Sequence, residues 1–99
     1  MNLSHEHFKK YVKETRGVSD RTVLHYITGL QTINLLLKEK HYRLTNVFCI
    51  DSLEDLEEVK QFLDNNDEYQ VKDVVGHRMY SVAFKHFYRY AYRFISSEE

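Results

Sequence analysis

Four basic residues near the carboxyl end, Arg78, Lys85, Arg89 and Arg93, recur at spacings that put them on one side of a helix. On a wheel turning about 100° per residue they fall within roughly 80° of one another. Tyr80, Ala83, Phe84, Phe87, Ala91, Phe94 and Ile95 fall on the other side. The chemistry open to such a stripe is capture of a polyanion. A guanidinium donates two parallel hydrogen bonds to a phosphate, and an ammonium supplies a point charge. The plain alternative is a solvated face whose long stems cover apolar surface.

The other reactive side chains carry less. His5 and His7 are two apart and do not share a helix face, and His25, His41, His77 and His86 include no i, i+4 pair. With one cysteine there is no zinc-finger pattern, so neither a metal nor a cofactor is expected. Cys49 lies in the apolar run Val47–Ile50 and reads as a buried, inert thiol; having no partner for an internal disulfide, it fits a reducing, cytoplasmic setting. The carboxylates between Asp51 and Glu58 are better explained by helix capping than by acid–base work, with a third reading in which they repel or mimic DNA. Tyr88, Tyr90 and Tyr92 alternate and cannot share a face, so core or boundary packing is favoured over a platform for bases. No Gly-rich phosphate loop, Ser/His/Asp arrangement or Cys/His pair stands out, and no catalysis is expected.

These side chains must be positioned by helices. The chain has no proline and three glycines, Gly17, Gly29 and Gly76, which favours long helices over a many-turned sheet. The first helix is predicted from about Leu3 to Glu14, with Ser4 as N-cap, Phe8, Tyr11, Val12 and Thr15 on one face, and Gly17 supplying a left-handed end. The second starts at the N-cap Ser19, with Val18 packed on Val23, buries Val23, Tyr26, Ile27, Leu30, Ile33 and Leu37, and lasts to about Lys40. Its opposite face carries Arg21, His25, Thr28 and Thr32. Within the segment His41–Ile50, the run Val47–Ile50 reads as a short strand or a buried connector. Ser52 caps a third helix with Leu53, Leu56, Val59, Phe62 and Leu63 on its apolar side, ended by Asn65-Asn66-Asp67. Tyr69–Gly76 reads as a linker with at most a helical turn, and the last helix runs from His77 to Ile95.

Ninety-nine residues make one domain, taken as residues 1–95 with a polar tail at 96–99, large enough to bury a core without a disulfide. The expectation is an all-α, compact bundle of four to five helices. No apolar run approaches the ~18 residues of a membrane span, and the amino end is too polar for a signal peptide. The net charge of −1 hides a pattern: residues 1–40 hold seven Lys/Arg against four Asp/Glu, residues 41–75 three against nine, and residues 76–99 four against two. One basic and one acidic face could result.

The stretch from Gly17 to Leu30, with Ser19, Thr22, Tyr26 and Leu30 at successive offsets, resembles the amino-terminal, SAM-like core-binding domain of tyrosine recombinases (phage integrases). Phe8-Lys9-Lys10-Tyr11-Val12 looks like that family's first helix, and Ser81 to Tyr90 like its last. Similar helical modules stand at the amino ends of restriction-type endonucleases. The resemblance implies half of a DNA clamp. The second and last helices would approach double-stranded DNA, with Arg21, Arg78, Lys85, Arg89 and Arg93 on phosphates and His25, Thr28 and Thr32 on base edges or neighbouring phosphates. The family's chemistry sits in a separate catalytic domain, so this chain is expected to bind and not to cleave, with that domain or another protein as a further partner. The rival expectation is a protein-interaction or oligomerisation module, or a small phage-type regulator, working through its acidic and basic faces.

Overall fold

Helices in this chain start where a short polar side chain can satisfy free backbone N–H groups. Ser4 accepts from the N–H of His7 at 3.1 Å, Ser19 from Thr22 at 3.2 Å, Ser52 from Asp55 at 3.1 Å and Asn66 from Tyr69 at 2.8 Å. The structure, a computed structural model, describes residues 3–97. In chain order the helices are α1 (His5–Arg16), α2 (Asp20–Glu39), α3 (Leu53–Asp64), α4 (Asp67–Val75) and α5 (Met79–Ser96). Among the described residues there is no strand. The described residues form an all-α bundle of five helices, as the sequence predicts.

Gly17 ends α1 with φ of 63°, where a side chain would be strained, and its N–H bonds to the carbonyl of Lys13. α2 ends at Glu39, one residue from its expected limit, and α1 begins and ends about two residues later than expected. Ser96 still belongs to α5 and Ser97 caps it, so the polar tail is shorter than expected; residues 98–99, like 1–2, lie outside the described residues.

One open reading is resolved and two local expectations are corrected. Of the two readings of Val47–Ile50, the connector holds and the strand does not. The segment holds a single 3-10 turn, Val47–Cys49, pinned by side-chain amides: Asn34 accepts from the N–H of Val47 at 2.9 Å and Asn46 from that of Phe48 at 3.0 Å. The turn buries Val47 and Phe48 but leaves Cys49 exposed, so the thiol is not a core residue. Residues Tyr69–Gly76 are mostly helix, α4, rather than linker. Only Tyr69 and Asp73 of α4 are buried, while Val71, Val74 and Val75 face outward. Its apolar residues therefore trace no inward stripe for periodicity to detect.

The core gathers Phe8, Leu30, Ile33, Leu37, Val47, Leu56, Val59, Leu63, Phe87 and Tyr90 around α5. Phe8 meets Phe87 and Tyr90 edge-on at 5.9 and 5.4 Å, a favoured aromatic geometry. Tyr90 is fully buried, with its hydroxyl 3.2 Å from His7 Nδ1. α2 and α5 run antiparallel, since Tyr26 lies beside His86 and Gly29 beside Ala83. A Cβ at Gly29 would stand 3.2 Å from that of Ala83, so the missing side chain lets the two backbones approach closely.

Candidate nucleic-acid interface

The basic stripe is set by how α5 enters the bundle. His77 and Arg78 both adopt left-handed backbone, with φ of 55° and 65°, so Arg78 lies outside the helix rather than on its first turn. No side chain at the N-cap position serves the first turn of α5. The buried carboxylate of Asp73, from α4, does so instead by accepting from the N–H of Ser81. Arg78 turns toward this carboxylate, 3.9 Å away. That corrects the expected stripe: Lys85, Arg89 and Arg93 share the exposed face of α5, while Arg78 belongs to the turn before it.

Among the described residues, no carboxylate oxygen lies within 4.0 Å of a side-chain nitrogen of Arg16, Arg21, Lys85, Arg89 or Arg93. The acidic middle of the chain is different. Arg43 bridges Asp55 and Glu58, Lys60 pairs with Asp64 at 3.1 Å, and Lys40 pairs with Glu68 at 3.1 Å. Glu57 accepts from the Tyr88 hydroxyl at 2.8 Å, which pushes that hydroxyl up to about 12. Part of the negative block is thus spent on internal partners.

On α2 the expected residues divide. His25 and Thr28 line a shallow groove with Gly29, Gly76, Met79 and Tyr80, where α2 meets the start of α5. Thr32 is half-buried and donates its hydroxyl to the Thr28 carbonyl at 3.1 Å, so its proton is already committed. Arg21 is exposed in the first turn of α2. With α2 antiparallel to α5 and Tyr26 level with His86, Arg21 lies alongside the carboxyl half of α5, the half that carries Arg89 and Arg93.

Two residues that sequence reasoning passed over join the surface. His86 stacks on Tyr26 with ring centroids 4.9 Å apart. Burial holds its imidazole below the usual 6.5, and the charges of Arg16, Arg89 and Lys85 lower it further. Arg16, from the last turn of α1, therefore stands close to the α5 stripe. Its place at a helix C-terminus is explained locally by the helix dipole, so nothing in the sequence marks it as part of a distant cluster. Tyr88 and Tyr92 stack with centroids 6.1 Å apart and, with Arg89 and Arg93, line a shallow groove along α5.

No group of three metal-ligating side chains is gathered among the described residues, and no helix among them is long and apolar enough to cross a membrane. No family model, curated protein or solved structure matches this chain. The resemblance to recombinase core-binding domains therefore rests on the chain's own residues.

Proposed function

We infer that this chain is a non-catalytic module that binds double-stranded DNA, working in the cytoplasm. The observation that carries the reading is the set of exposed cations that have no carboxylate partner among the described residues, on the face shared by α5 and the α1–α2 turn: Arg16, Arg21, Lys85, Arg89 and Arg93. They come from three helices, as expected of a surface that tracks a phosphate backbone rather than of one solvated helix. These contacts position the protein without reading sequence. His25 and Thr28, in the groove beside Tyr80, are the side chains offered to base edges or neighbouring phosphates, and Thr32 supports Thr28.

The deciding experiment is a fluorescence-anisotropy titration of a labelled mixed-sequence duplex at about 50 and about 200 mM salt. Micromolar binding that weakens steeply with salt is the expected result. Absence of binding at the lower salt rejects the reading.

One observation favours a second reading, a protein-interaction module. Val71, Val74 and Val75 are 65%, 57% and 75% exposed on the short helix α4. Exposed apolar clusters of this kind mark interaction surfaces. Self-association in sedimentation equilibrium, removed by Val74→Lys, together with no DNA affinity, would favour it.

A further inference from the structure

The cleft between α3, α4 and α5 has an interior that duplex binding does not use. Its volume is about 320 Å³, near the small end of ligand pockets, which run from about 300 to 1,000 Å³. Leu63, Tyr69 and Phe84 give it apolar and aromatic walls, and Arg78, Lys85 and Arg89 supply cations. Its two carboxylates already have partners. Asp64 pairs with Lys60, and Asp73 accepts from the N–H of Ser81 with Arg78 alongside. Lys85 and Arg89 are left to attract an anion.

Tyr69 says more about the occupant. It is only 5% exposed and lines the cleft, yet its hydroxyl bonds to no described residue. Burial raises its pKa, and the charges of Asp73 and Asp64, which also line the cleft, raise it further. Its oxygen is not one of the fully buried atoms without a partner, so it opens on the cleft, where a group that enters from outside can reach it.

We propose that the cleft binds a single nucleotide unit, with its phosphate at Lys85 and Arg89, its base against the wall to which Leu63 and Phe84 contribute, and a polar base edge at the Tyr69 hydroxyl. Three features select this chemistry together. A bare phosphate would leave the apolar walls and Tyr69 unused. A purely apolar ligand would leave Lys85 and Arg89 unused. A nucleoside monophosphate carries the charge, the flat ring and the hydrogen-bonding edge in one molecule of suitable size. The same unit can arrive as a free nucleotide or as the end of a single strand; the adjoining groove, lined by Tyr88, Arg89, Tyr92 and Arg93, offers stacking rings and charge to a strand that continues past the cleft.

The test is an NMR titration of the ¹⁵N-labelled chain with adenosine monophosphate, thymidine monophosphate, inorganic phosphate and a 5′-phosphorylated single-stranded tetranucleotide. The expected result is saturable shifts at Leu63, Tyr69, Ser81 and Phe84 with a dissociation constant in the millimolar range or tighter for the nucleotides, and about tenfold weaker binding of phosphate alone. Tyr69→Phe and the cleft-filling Ser81→Leu should each weaken nucleotide binding about tenfold while duplex affinity and helix content stay unchanged. Tighter binding of the tetranucleotide than of either mononucleotide identifies a strand end as the source, and equal binding identifies the free nucleotide. Phosphate binding as tight as the nucleotides, or nucleotide binding that leaves the four interior signals unmoved, overturns the proposal. Because neither variant touches a duplex contact, failure here is distinguishable from failure of the duplex reading.

Discussion

The carboxylate of Asp73, 1% exposed at the end of α4, accepts a hydrogen bond from the backbone N–H of Ser81 at 2.9 Å and so caps a helix that begins six residues further on. The same residue holds the turn from a second side, since its carbonyl accepts from the N–H of Arg78 at 2.7 Å. This one acid thus fixes the direction in which α5 leaves the turn, and with it the line of Lys85, Arg89 and Arg93. Replacing it by Ala strands a buried N–H. Asp73→Ala should cost about 1–3 kcal/mol of stability, seen as a lower melting temperature by circular dichroism, and Asp73→Asn should cost less because the amide oxygen can still accept.

The phosphate reading predicts a defined loss. Lys85→Ala with Arg89→Ala removes two cations that have no carboxylate partner among the described residues. The double variant should keep its helical spectrum, lose duplex affinity, and reduce the slope of log affinity against log salt by about 2. An unchanged slope in a folded double variant would remove these residues from the interface.

His86 makes both stability and binding depend on pH, in opposite senses. Burial and the cations Arg16, Arg89 and Lys85 hold it below 6.5 in the folded protein. Unfolding returns it toward that value, so the unfolded chain binds the extra proton. Its contribution to stability is full above about 6.5 and is lost as the pH falls from there to the folded value. A phosphate beside the ring favours the imidazolium instead. Duplex binding should therefore take up a proton and tighten as the pH falls through about 6.5. Replacing the ring by His86→Gln should flatten both profiles, and an identical binding profile in the variant would place His86 away from DNA.

Gly29 sets how closely α2 and α5 approach. The atoms of a larger side chain would meet Ala83 and the Tyr80 ring. Gly29→Leu should cost about 1–3 kcal/mol in urea unfolding by forcing the helices apart.

Cys49 offers a quick check of the 3-10 turn. Being exposed, its thiol should react with a disulfide reagent in the native protein within about a factor of ten of the urea-unfolded rate. Complete protection until unfolding would bury it, against the structure.

What the sequence made legible was local. Ser4, Ser19 and Ser52 announce their helices because a cap acts within three residues, and the faces of α2 and α5 follow from spacing alone. α4 escaped because its valines face outward and Asn66, which ends one helix region, also starts the next. Asp73 read as one more acid in an acidic run, since its partner Ser81 is eight residues away. Cys49 shares an apolar run with Val47 and Phe48, but a turn rather than a strand or helix decides which of them faces inward. The charge of Arg16 reaches His86 only through the packing of α1, α2 and α5, which no single stretch encodes.

The pairing pattern of the carboxylates has a consequence for motion in solution. Arg43, Lys60 and Lys40 serve as counter-ions for α3 and α4, so among the described residues Lys85, Arg89 and Arg93 of α5 keep no carboxylate partner in a chain of net charge −1. A nearby polyanion would repel such a molecule weakly as a whole while its field exerted a torque on these uncompensated charges, so the approach would be turned toward the α5 face even though the net charge gives no attraction.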